Sequence, residues 1–100
     1  MVNTENKSIM FDPPHPGEVL KELYISSINV TLTELADALG VTRKTISSIV
    51  NKKQGISPQM ALRLSKSFNT SPDLWLNLQM QYDLWQAKQN FNFKQVKVMV

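Results

Sequence analysis

The chain of 100 residues contains no cysteine and a single histidine, His15. Disulfides and thiolate metal sites are therefore excluded, and one imidazole cannot by itself build a zinc or catalytic cluster. The three glycines are scattered, so there is no glycine-rich loop to cradle a phosphate. No apolar run approaches the roughly 20 residues of a membrane span, and the N-terminal MVNTENKSIMFD lacks the basic and apolar regions of a signal peptide. These absences lead us to expect a single non-enzymatic domain in a reducing, cytoplasmic setting, with no metal, cofactor, membrane or small-molecule substrate. One further absence is local. Between Ala38 and Pro72 there is no acidic residue, whereas six basic ones occur in a chain whose net charge is +3. That concentration is the electrostatic footprint of a phosphate-binding surface.

The stretch TLTELADALGVTRKTISSIVNKK, residues 31 to 53, spells two short helices joined by a tight turn. Thr31 and Glu34 have the spacing of a capping box, and the helix they open runs to Leu39. Gly40 ends it, because the turn between two crossing helices calls for a left-handed backbone. Val41 is the expected buried pin, and Thr42 caps the second helix. There Ile46, Ile49 and Val50 recur at helical spacing and form one inward stripe. At 100° per residue, Lys44, Ser47, Ser48 and Asn51 project away from that stripe, with Arg43 and Thr45 flanking it near the helix start. This is the layout of a DNA-binding helix-turn-helix, whose second helix offers its N-terminal residues to base edges. Lys52 and Lys53 follow in a loop from which they can reach phosphates beside the groove. The competing reading is an ordinary pair of core helices with a solvated polar face.

Residues 1 to 12 show no periodicity and are expected to form a flexible arm; the domain proper spans 13 to 88, and 89 to 100 form a tail. Pro13, Pro14 and Pro16 stiffen the start of the domain, with His15 as a cap and Pro16 as first residue of a helix to Ser26. Its expected stripe is Val19, Leu20, Leu23 and Tyr24. Asn29 suits a left-handed turn position. Ser57 and Pro58 restart the chain, and Ala61, Leu62, Leu64 and Phe68 supply the apolar side of a fourth helix. A second start, Ser71 and Pro72, opens a fifth to Lys88.

That fifth helix carries apolar residues on two arcs: Leu74, Trp75, Leu78, Tyr82 and Trp85 on one, Leu76, Met80, Leu84 and Ala87 on the other. Two faces need two partners, so a second copy of the chain is expected to cover Leu76, Met80 and Leu84. The alternative is that the tail folds back over them. The tail, FNFKQVKVMV, is β-prone, and its sequence does not choose between strand, swapped arm and disorder.

The chain resembles the antitoxins of the HigA (also called VapI) group within the Xre/Cro-like helix-turn-helix proteins. The likeness rests on PPHPGEVL from Pro13, TELADALGVTRKTISSIVNKK from Thr33, GISPQMALRLSKSF from Gly55 and TSPDLWLNLQMQYDLW from Thr70. The resemblance implies an all-α, five-helix, lambda-repressor-like domain that dimerises through its C-terminal helix. It also implies binding to double-stranded operator DNA, repression of its own operon, and neutralisation of a co-encoded RelE-like (HigB-type) toxin that cleaves messenger RNA. In the wider family, base and phosphate contacts come from positions matching Thr42, Arg43, Lys44, Thr45, Ser47 and Ser48. Leu32 departs from the pattern, standing where many relatives keep a polar phosphate contact; Asn69 stands where relatives often have glycine. A cytoplasmic location, with the nucleoid when bound to operator, follows. A stand-alone repressor and an interaction module without DNA binding are the alternatives, and the polar arc of the second motif helix argues against the latter.

Overall fold

The computed structural model describes residues 12–100, so the arm expected over 1–12 lies, but for Asp12, outside the described residues. Among the described residues the chain forms five helices and one 3₁₀ turn, with no strand. The first, α1, is α-helical over Pro16–Val19, π-helical over Leu20–Ile25 and α-helical again over Ser26–Ile28. Then come α2 (Leu32–Leu39), α3 (Arg43–Val50), α4 (Pro58–Phe68) and α5 (Pro72–Asn90), with the 3₁₀ turn at Phe93–Gln95.

Local chemistry sets the helix starts. Thr31, Thr42, Ser57 and Ser71 each accept a hydrogen bond from the backbone N–H three residues on, satisfying a donor the helix cannot. At Thr31 the capping box is complete, since Glu34 Oε1 accepts from Thr31 N–H at 2.9 Å. Pro58 and Pro72 follow their caps at the first helical position, where a missing N–H costs nothing. The ends of the first four helices share one device: a residue in the left-handed region, with the next N–H reaching back five residues. Asn29, Gly40, Lys52 and Asn69 take that role, with φ of 56°, 72°, 62° and 54°, and the back-reaching bonds are present at all four.

The π-helical stretch corrects the sequence reading of α1. Ser26 N–H donates to the Lys21 carbonyl five residues back, and Ser26 Oγ bonds the same oxygen at 3.0 Å. The wider turn absorbs one extra residue. Leu23 therefore turns outward, 62% exposed, and Ile25 packs on the core in its place beside Tyr24, which faces inward as expected. In α4, Leu62 is also outside the core, because it sits about 100° round the helix from Ala61, on the side away from Met60 and Leu64. Met60, Ala61 and Leu64 are buried instead.

The core gathers Leu20 from α1, Leu35, Ala36 and Leu39 from α2, Ile46 and Ile49 from α3, Ile56, Met60, Ala61 and Leu64 around α4, and Trp75 from α5. Fully burying each large aliphatic side chain contributes roughly 1.5–3 kcal/mol. Trp75 has no solvent exposure, and its indole N–H donates to Thr70 Oγ1 at 2.9 Å. Tyr24 and Phe68 stack beside it, 4.5 Å apart between ring centres, so aromatics of α1, α4 and α5 lock together. Beyond Trp85, which is half-buried, the rest of α5 and the tail are exposed, and the described residues extend 50 Å along their longest axis.

Candidate nucleic-acid interface

Burial of Ile46 and Ile49 fixes the roll of α3 and so decides what the other side presents. Arg43, Lys44 and Asn51 are exposed, as is Thr42 before them, while Thr45, Ser47 and Ser48 are half-buried along the same arc. Thr42 Oγ1 accepts from Thr45 N–H at 3.2 Å and lies 3.0 Å from Thr45 Oγ1, so these two hydroxyls hold one another. Asn51 Nδ2 donates to Ser47 Oγ at 3.3 Å. Lys52 and Lys53 are exposed beyond the helix end. The arrangement brings the nine expected DNA-facing residues onto one helix and its following loop, with Arg43 and Lys44 at the positive end of the α3 dipole.

Several residues that sequence reasoning missed hold this surface in place. Arg63 on α4 donates from Nη1 to the carbonyls of Leu39 at 2.8 Å and Gly40 at 3.3 Å, satisfying the end of α2 at the turn into α3. It is thus one of the six basic residues that serves the fold. Gln79 on α5 accepts from Ile56 N–H at 2.7 Å and donates to Asp83 Oδ1 at 2.9 Å. Gly55 abuts it, because a Cβ there would meet the Gln79 carboxamide at 2.8 Å. Helix α5 therefore clamps the loop that carries Lys52 and Lys53. No periodicity marks such pairs, which lie 23 or 24 residues apart in sequence.

Where α1 begins, it presses on the end of α3. A Cβ on Gly17 would meet the Ile49 carbonyl carbon at 2.7 Å, and its oxygen closer still. His15, 3% exposed, caps α1 by accepting from Gly17 N–H on Nδ1 at 2.9 Å, and its ring meets Tyr82 edge-on at 4.8 Å. Burial lowers its pKa below the usual histidine value, with Glu18 and Asp83 opposing and Lys52 assisting. His15 is therefore a packed, neutral cap, as expected. Glu18, which follows Gly17, pairs with Lys52, Oε1 to Nζ at 2.6 Å. The hydrogen bond to this carboxylate raises the Lys52 pKa.

Of the residues expected at a dimer contact, Met80 and Leu84 are 45% and 37% exposed. Leu76 instead packs against its own core. The rings of Phe91 and Phe93 meet edge to face at 4.7 Å and, with Leu84, Ala87 and Lys88, line a shallow apolar pocket. The tail thus covers only the far end of the second stripe. Leu32 packs against the core. Among the described residues, no helix is long and apolar enough to cross a membrane, and no cluster of side chains could hold a metal ion.

Comparison with known proteins gives this geometry a context. A family model described as Helix-turn-helix matches residues 20–75. Virulence-associated protein A' of Dichelobacter nodosus is 49% identical over 79 residues, which span 78% of this chain and 68% of that protein. Among solved structures, antitoxin GraA in complex with its operator superposes with a TM-score of 0.82 at 39% identity, covering 90% of this chain and 94% of that one. Pseudomonas aeruginosa antitoxin HigA with the higBA promoter gives 0.80 at 37% identity, over 88% and 99%.

Proposed function

The chain belongs to the Helix-turn-helix family whose model spans residues 20–75, and from that membership we propose that it is a repressor and antitoxin that binds operator DNA as a dimer. The observation that carries the reading is the outward arc of α3, where Arg43 and Lys44 stand exposed beside Thr42, Thr45, Ser47 and Ser48. No acid interrupts the segment that holds them. In this reading Arg43, Lys44 and Ser48 read bases or hold the adjacent backbone, while Asn51, Lys52 and Lys53 meet phosphates. Met80 and Leu84, extended by Ala87, Phe91 and Phe93, form the dimer seam; Leu76 supports it from beneath. A dyad through α5 places two recognition helices in successive major grooves, about 34 Å apart. Gel-shift titration against the DNA upstream of the gene tests this, and unchanged affinity in an Arg43→Ala, Lys44→Ala double variant would sink it.

The second partner in this proposal is a RelE-like, HigB-type toxin from an adjacent reading frame, met by surfaces away from α3. The support is the segregation of charge: all eight acidic residues lie outside residues 38 to 72, and Glu22 and Asp73 are exposed on α1 and α5. Glu18 and Asp83 are already engaged within the chain, which favours a second reading, a stand-alone repressor. Co-expression with the neighbouring gene product decides between them. A complex that survives affinity purification supports the antitoxin, whereas separate elution leaves the repressor.

A further inference from the structure

We propose that Glu18 is an internal competitor for the DNA backbone: it holds the Lys52 ammonium against α1 in the free protein, and a phosphate must take that ammonium from it when the duplex docks. The inference rests on the reading of α3 and its loop as the DNA-binding surface. It assigns to an acidic residue the setting of sequence-independent affinity.

Both ends of the pair are held by the backbone. Lys52 occupies the left-handed position that ends α3, with φ of 62°; its N–H donates to the Ile49 carbonyl at 3.1 Å, and the next N–H to Ser48 at 2.8 Å. Glu18 follows Gly17, whose Cα lies against that same Ile49 carbonyl. The side chains therefore project from two backbones already in contact. Lys52 lies in a run of 35 residues without an acid, from Ala38 to Pro72, so the carboxylate that neutralises it has to come from another element. The remaining groups on this corner are Asp83 and Tyr82 of α5 and the neutral His15.

The pair is also exchangeable. The side chains of Lys52 and Glu18 are 51% and 37% exposed, so solvent and phosphate can reach the ammonium, and an exposed pair is only weakly held. Breaking the pair offsets part of what the phosphate contact gains, and that cost is largest at low salt, where the pair is least screened. Removing the carboxylate should thus tighten binding to any duplex and steepen its salt dependence.

The test uses the full chain and fluorescence anisotropy with two duplexes, the upstream operator and a scrambled sequence of equal length, over a range of salt. Glu18→Gln should tighten both by about two- to five-fold per half-site at low salt and steepen the log–log salt slope by only a fraction of one per half-site, since Lys52 meets a phosphate in both proteins. Glu18→Ala should do the same, which guards against a local effect of the new amide. In a Lys52→Gln background, either change at Glu18 should do almost nothing. The inference is overturned if the Glu18 variants melt like the wild type yet bind no tighter, or if they gain equally without Lys52. Failure of the wild type to bind either duplex would instead overturn the reading of the surface, and this inference with it.

Discussion

Replacing Gly17 by alanine should destabilise the protein, although at an ordinary helical position the same change stabilises by about 0.5–1 kcal/mol. The reason lies in the crossing of α1 over the end of α3. The new methyl would stand 2.7 Å from the Ile49 carbonyl carbon and 3.1 Å from His15 Nδ1, where ordinary contact begins near 3.4 Å. The two backbones would have to part by roughly 1 Å or more, since a carbonyl held in a helix cannot swing aside as a side chain can. Overpacking of this kind typically costs 1–3 kcal/mol, and a rigid backbone neighbour puts this site at or above about 3 kcal/mol. For a domain this small, that lowers the thermal midpoint by roughly 12 °C or more. Urea unfolding should show a lower midpoint with an unchanged slope. Operator affinity should fall in parallel, because α1 braces the end of the recognition helix. An alanine variant as stable as the wild type would refute the close approach on which this corner depends.

His15 should make stability depend on pH. Its folded-state pKa lies below the ordinary value of 6.5, so the unfolded chain binds more protons between the two values; the contribution is complete above pH 6.5 and is lost as pH falls through the folded value. His15→Asn, which keeps a capping acceptor, should remove that part of the difference between unfolding midpoints at pH 7.5 and 5.5. Gln79→Leu should cost about 1–3 kcal/mol by stranding the Ile56 N–H, and should weaken binding to all duplexes alike as the basic loop loosens; unchanged chemical denaturation would contradict it. Met80→Glu with Leu84→Glu should give a monomer by sedimentation at micromolar concentration, with operator affinity reduced and thermal stability of the fold retained.

Much of this was legible because the signals are local. A cap and its partner lie three residues apart, so Thr31 with Glu34, Thr42, Ser57 and Ser71 could be read directly, as could the left-handed ends at Asn29 and Gly40. The α3 arc followed from one period. Lys52 was missed as a helix end because neither its type nor its neighbours advertise a positive φ, and Gly55 serves the approach of Gln79. The π-helical turn that turns Leu23 outward has no pattern of its own, and a strictly α-helical count therefore misses Ile25. Arg63, Gln79 and the Glu18–Lys52 pair join elements distant in sequence, where side-chain chemistry says that a bond is possible but not with whom. The PHPGE run shows the difference well. Its proline and histidine announced a helix start, but only the folded chain reveals that Gly17 yields to Ile49 and Glu18 to Lys52.

In the proposed complex α3 enters the major groove with Arg43 and Lys44 at the base edges. Methylation protection at guanine N7, an atom that lies in the major groove, tests it on the DNA upstream of the gene. The wild type should protect two inverted clusters about one helical turn apart. Arg43→Ala should lose protection within each cluster while binding falls by roughly ten- to a hundred-fold. Protection confined to one cluster, or a pattern that the Arg43 and Lys44 variants leave intact, would contradict the account.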